Sequence, residues 1–135
     1  MLEFIQLLLV AIVIGGMVTF QILFAPLVFI KLPNDVARPF IRKFFPFYYL
    51  YFGILSLALV VISFALLSQN YGIWICVMHI ALAIGFILSR QVFMPLANKA
   101  TDEGRKPDFD RYHRITVLIN TLQLMSMIGV LWLIS

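Results

Sequence analysis

Formal charge is what this sequence lacks over most of its length. Residues 4–30, 44–89 and 115–135 contain no Asp, Glu, Lys or Arg, and all ten Lys and Arg fall between or beside those stretches. Runs of this kind exclude an ordinary soluble fold. A helix rises about 1.5 Å per residue, so the roughly 30 Å hydrocarbon core of a bilayer needs about 20 apolar residues. The middle stretch has 46 residues; as one helix it would extend about 69 Å, twice what a bilayer requires. It must fold back, and its only turn-forming punctuation is Ser68, Gln69, Asn70, Tyr71 and Gly72. Asn70 and Gly72 are the residues expected there to tolerate left-handed backbone. The sequence therefore predicts an all-α, integral membrane antiparallel four-helix bundle. Residues 1–135 form a single transmembrane domain, with spans at about 2–24, 47–67, 72–94 and 112–134.

Cysteine and histidine are also scarce. The lone Cys76 excludes an intrachain disulfide and a cysteine-based metal site, and it reads as a small apolar filler. Hydrophobic residues make up 63% of the chain, and four spans with their loops leave no room for a soluble domain. The first 30 residues lack the basic n-region of a signal peptide and are expected to be retained as span one. No repeat or low-complexity tract is evident. No catalytic triad, zinc motif or phosphate-binding glycine loop is present, which makes an enzyme the minority reading. No metal or cofactor is expected on the main reading.

The charges that are present have a pattern. Lys31, Arg38, Arg42 and Lys43 lie between spans one and two, and Arg90, Lys99, Arg105, Lys106, Arg111 and Arg114 lie around the connection between spans three and four. Basic residues are retained on the cytoplasmic side. The expectation is a bacterial inner (cytoplasmic) membrane protein with both termini and the 68–72 turn outside. The net charge of +4 then sits on the inner face, where it suits anionic headgroups. Membrane lipids are the expected partners, and nucleic acid is not.

Pro26, Pro33, Pro39 and Pro46 punctuate the first connection. Pro26 is expected to kink or end span one by removing a backbone donor. Residues 34–45 mix apolar and basic side chains as an interfacial amphipathic helix does, with Asn34 as N-cap and Asp35 in the first turn. Aromatic residues crowd 44–52 at the depth where headgroups begin.

Polar residues inside the spans locate candidate sites. At about 100° per residue, His113, Thr116, Asn120, Gln123 and Met127 share one side of span four, and His79, Ala83, Phe86, Arg90 and Ala97 share one side of span three. Arg90, Gln21 and Asn120 fall in the inner third, with Arg42 and His113 at the inner boundary. Ionisable groups inside a membrane default to a functional hypothesis. These five form the candidate ligand site, with Asp110 three residues before His113 placed to orient it. His79 lies near the outer end of span three, too far from His113 to share a metal. It is a candidate haem ligand only if haem is bound. Ala11, Gly15 and Thr19 form a small-residue face that another helix could approach.

Three passages carry a family likeness: Gly15-Gly16 followed by Phe24-Ala25-Pro26 and Phe29; Arg42, Phe44, Phe45 and Pro46; and Phe109-Asp110-Arg111-Tyr112-His113-Arg114 with Asn120 and Gln123. Together they resemble the transmembrane protein 205-like family, a membrane domain of unknown function. The resemblance implies four helices without an assigned reaction. It is most specific in the pattern from Phe109 to Asn120. A more distant similarity is to copper-resistance membrane proteins and the bacterial membrane protoporphyrinogen oxidase. Those carry a histidine in span one for haem, and residues 1–30 here contain none. The reading that follows is a lipid- or amphiphile-binding module with an inner polar pocket, within a transport or efflux assembly. The alternatives are a haem- or porphyrin-binding redox protein and a structural partner subunit. Transport by so small a chain implies a homo-oligomer or a membrane partner.

Overall fold

The computed structural model describes all residues 1–135. Four helices form: α1 (Leu2–Lys31), α2 (Asn34–Ala65), α3 (Gly72–Asp102) and α4 (Lys106–Ile134), each long and apolar enough to cross a membrane. They are joined by Leu32-Pro33, a turn over 66–71 and a loop over 103–105, and they pack in the ring order α1, α2, α3, α4. The short connections make neighbours antiparallel. The termini and the 66–71 turn gather at one end, here the terminal end. All the Lys and Arg outside the spans gather at the other, the basic end.

The helices overrun the expected spans at the basic end. The amphipathic segment 34–45 is the first part of α2 and not a separate helix. Pro39 and Pro46 lie inside it. Each leaves one carbonyl without its intrahelical donor, and near the basic end water or headgroups can satisfy that carbonyl. Pro26 does not end α1 either. The helix widens to a π turn over Phe20–Phe24, with the Ala25 N–H donating to the Phe20 carbonyl, and then runs on through Pro26. A π turn is a one-residue expansion that relieves the clash between a proline ring and the preceding turn.

The same device recurs in α3. Its π turn covers Ser89–Phe93, the Met94 N–H donates to the Ser89 carbonyl, and Pro95 follows. The offset from α1 is 69 residues, and it extends beyond the π turn. From Leu2 to Phe24 the buried residues of α1 are Gln6, Val10, Val13, Met17 and Phe20, and those at the same offset are Ile75, His79, Leu82, Phe86 and Ser89, all buried; beyond the π turn the buried Val28 has the half-buried Ala97 at that offset. Gly16 packs against Phe52 of α2, and Gly85 against Gln123 of α4. In the second helices the offset is 71: Phe52, Ser56 and Leu59 correspond to Gln123, Met127 and Val130, again all buried. The bundle is two equivalent hairpins, α1–α2 and α3–α4. This repeat is written in burial phase, glycine and proline, with side-chain identities largely different, so the sequence alone did not display it.

At the terminal end Tyr71, not Asn70 or Gly72, takes the left-handed conformation, at φ 59°. Gly72 is needed for another reason: a Cβ there would lie 2.6 Å from the carbonyl oxygens of Leu66 and Leu67. In the basic half the core is aromatic. Phe20, Phe44, Phe45, Tyr48, Phe52 and Phe86 form one connected cluster of rings.

Candidate functional site

The residues expected to form a pocket at the basic end have separate engagements. Arg42 makes a two-pronged ion pair with Asp102, Nη1 to Oδ1 at 2.6 Å and Nη2 to Oδ2 at 2.8 Å, tying α2 to the end of α3. The pair is exposed, and the Arg42 hydrogen bond holds the Asp102 carboxyl below its ordinary pKa. Asp110 accepts a hydrogen bond from Lys106, which likewise lowers its pKa, and it makes no hydrogen bond to His113. His113 is exposed and stacks on Phe109 with ring centroids 5.8 Å apart. Asn120 donates to the Tyr48 hydroxyl at 3.2 Å, across the bundle. Arg90 donates from Nε to the Pro46 carbonyl at 3.2 Å. Gln21 is half-buried, and its amide nitrogen has no partner. The structure therefore brings Asn120 and Tyr48 together but does not join Arg42, Arg90 and His113 through shared contacts. Of the polar stripe on α4, Gln123 and Met127 are buried. Gln123 donates to the Leu82 carbonyl at 2.8 Å.

His79 has the more unusual surroundings. It is fully buried, and its Nδ1 lies 2.5 Å from the Ser63 hydroxyl of α2. Gln6 of α1 donates to the same hydroxyl at a longer 3.5 Å. Ser63 also lies 2.8 Å from the Leu59 carbonyl. A serine hydroxyl has one proton, so either it goes to Leu59 and Nδ1–H donates to Ser63, or it goes to Nδ1 and the histidine proton sits on Nε2. In both cases Nε2 is buried without a partner. Leaving such a group unsatisfied costs about 1–3 kcal/mol.

Above this chain of polar groups the bundle opens. A cavity of about 240 Å³ lies at the terminal end, lined by Glu3 and Gln6 of α1, Ser63 of α2, Gln69 and Asn70 of the turn, and apolar residues of the turn, α3 and α4. Glu3 is the only charged side chain in that lining. The cavity is a vestibule: Gln6 and Ser63 form its polar floor, with His79 beneath Ser63. Sequence reasoning identified His79 but missed Gln6, Ser63 and Glu3. Depth could have found them. Gln6, Ser63 and His79 stand four, two and seven residues from the terminal ends of their helices, within about 8 Å of one level.

The repeat supplies an internal comparison. Gln6, Ser63 and His79 correspond by the two offsets to Ile75, Ile134 and Val10, all apolar. Ile75 and Ile134 of the α3–α4 hairpin correspond to Gln6 and Ser63 of α1–α2, and Val10 of α1 corresponds to His79 of α3, so each polar residue has an apolar counterpart in the opposite hairpin. Packing alone does not require the polar residues.

A family described as a domain of unknown function, DUF4149, matches residues 8–106, well over half of the chain. The chain belongs to the DUF4149 family. The match includes Ser63 and His79 but begins after Gln6, and it stops before the Phe109 to Asn120 pattern. No curated protein and no solved structure matches the chain. These comparisons give no support to the likeness with the transmembrane protein 205-like family, or to the more distant ones with copper-resistance proteins and protoporphyrinogen oxidase. As expected from the sequence, the DUF4149 family carries no assigned activity.

Proposed function

We propose that this DUF4149 protein binds a small amphiphile, with the headgroup in the terminal-end vestibule and not in a pocket at the basic end. One observation carries the reading: a buried Gln6–Ser63–His79 chain opens on a cavity, and each of the three has an apolar counterpart, Ile75, Ile134 or Val10, in the opposite hairpin. The lining offers amide and hydroxyl groups and one carboxylate. It suits a neutral or cationic hydrogen-bonding head, with the tail against apolar residues such as Leu133 and Ile134. Aromatic packing fills the basic half, so a single chain offers no through-path. Its place in a transport assembly would be to present ligand. The basic residues favour a cytoplasmic basic end, which puts the vestibule on the outer face of a bacterial inner membrane.

The test is thermal denaturation of the detergent-purified protein with dodecylamine, dodecanol or dodecanoate below their micellar concentrations. Dodecylamine or dodecanol should raise the midpoint of the wild type and should not raise that of the Gln6→Ile, Ser63→Ile, His79→Val triple variant. Stabilisation by dodecanoate alone would overturn the proposal.

Haem at His79 is a second reading, favoured by one feature: Nδ1 is held while Nε2 is free, the arrangement an axial ligand needs. The space does not fit. His79 has no exposed surface, and the vestibule lining does not include it. A porphyrin would have to part the helices. A Soret band in purified protein would restore this reading.

A further inference from the structure

The two π turns place Gln21 and Arg90 at equivalent positions, 69 residues apart, one neutral and one charged. The fold therefore does not need a cation there. Arg90 lies 12 residues before the end of α3, about 18 Å along the helix, on the basic side of the bundle. Arg90 is the deepest of the ten Lys and Arg: counted from the basic ends of their helices, Arg42, Lys43 and Arg114 lie eight, nine and eight residues in, and Arg90 twelve. It is half-buried, and no carboxylate lies within ion-pairing distance of it. A guanidinium in that position ordinarily snorkels to the surface. This one is held instead, because Nε donates to the Pro46 carbonyl of α2. That bond fixes the plane of the group and leaves both terminal amino groups without a protein acceptor. A planar, permanently charged fork with its outer edge free is matched by a carboxylate or phosphate, which it can hold by two parallel hydrogen bonds. The surroundings add to the attraction. Lys43, one turn before Pro46, is exposed and has no carboxylate partner, whereas Arg42 is taken by Asp102 and Arg105 by Glu103 and Asp108.

We infer that Arg90, clamped by the Pro46 carbonyl at the seam of α2 and α3, is the anchor of a second site, one that takes the oxyanion head of an anionic amphiphile. The chain of the amphiphile lies along the apolar surface of the helices and the head meets the free edge of the guanidinium. This site is independent of the vestibule and lies in the other half of the bundle.

Native mass spectrometry of the detergent-purified protein tests it, with dodecanoate, dodecyl phosphate, phosphatidylglycerol and inorganic phosphate as probes and phosphatidylcholine as the zwitterionic control. The anionic amphiphiles should be retained by the wild type, and inorganic phosphate and phosphatidylcholine should not. Arg90→Gln, which installs the residue of the equivalent hairpin, should reduce retention about tenfold or more, the scale of a lost charge-assisted hydrogen bond. Arg90→Lys keeps the charge but loses the fork and should fall between the two. If Arg90→Gln does not fold, the comparison rests on Arg90→Lys, whose retention must then fall below the wild type's. Arg114→Gln, an exposed cation elsewhere on the basic end, should change little. Equal retention by the wild type and the folded Arg90 variants would overturn the assignment. So would an equal loss in Arg114→Gln, which would mean a diffuse basic surface, or retention of inorganic phosphate as strong as that of the amphiphiles.

Discussion

Gly15 and Gly16 show how differently two identical neighbours can be used. The ring of Phe52 lies 2.8 Å from where a Cβ on Gly16 would stand, whereas nothing lies within 4 Å of one on Gly15. Gly16→Ala should displace a rigid ring in the aromatic core and lower the thermal midpoint, at the scale of about 1–3 kcal/mol seen for overpacked cores. Gly15→Ala should be neutral or stabilising by about 0.5–1 kcal/mol, because it removes glycine's entropy cost from a helix. Thermal melting of both variants in detergent checks the pair, and equal destabilisation would contradict the contact. The sequence displayed the Gly-Gly pair and even suggested Gly15 as the packing member, through the stripe Ala11, Gly15 and Thr19. In the structure all three stripe residues are exposed, so Gly16 is the glycine that packs within the chain and the small-residue face stays open to another helix. Which of two adjacent glycines faces a neighbour depends on helix phase, and phase is set by Val10, Val13 and Met17, the fully buried apolar residues of α1.

At the scale of elements, the terminal-end turn is the tightest joint in the fold. Gly72 has two backbone oxygens at 2.6 Å from its would-be Cβ, and backbone cannot move aside as a flexible side chain can. Gly72→Ala should therefore lower the yield of folded protein and its melting temperature markedly. Gly129→Ala, with nothing within 4 Å, should not. Similar behaviour of the two would show that the 66–71 turn is not built as described. The existence of this turn was legible because 46 uncharged residues cannot be one helix, and its position followed from the only polar cluster available. The left-handed residue was not legible: Asn and Gly are the intrinsic candidates, yet the geometry of the joint puts Tyr71 there. That the helix runs on past Pro26 was not legible for a related reason. Local rules say that Pro26 breaks a helix; a π turn one residue upstream absorbs it, and nothing in residue propensity announces a π turn.

For the whole molecule, number of helices, connection order and the segregation of charge to one end followed from the charge map alone, because bilayer thickness and helix rise leave little choice. The vestibule did not, since its walls come from four helices and its polar residues are isolated in apolar runs. Orientation can be tested directly. With Cys76 first replaced by Ser, Asn70→Cys should react with an impermeant maleimide in intact cells and Asp102→Cys should not; the reverse labelling would put the vestibule on the cytoplasmic side.

The central claim is that Gln6, Ser63 and His79 are polar for a ligand and not for the fold. It is tested most directly by giving each position the residue its counterpart in the opposite hairpin already carries. Replacing all partners of a buried hydrogen-bonded group by apolar side chains is close to neutral or stabilising, whereas removing one leaves the rest unpaired. The measurement is the thermal midpoint in detergent of the Gln6→Ile, Ser63→Ile, His79→Val variant, alone and with dodecylamine or dodecanol. The account predicts a midpoint at or above that of the wild type and no further rise with either amphiphile. A variant that melts well below the wild type, or one that still gains stability from the amphiphile to the same extent, would contradict it.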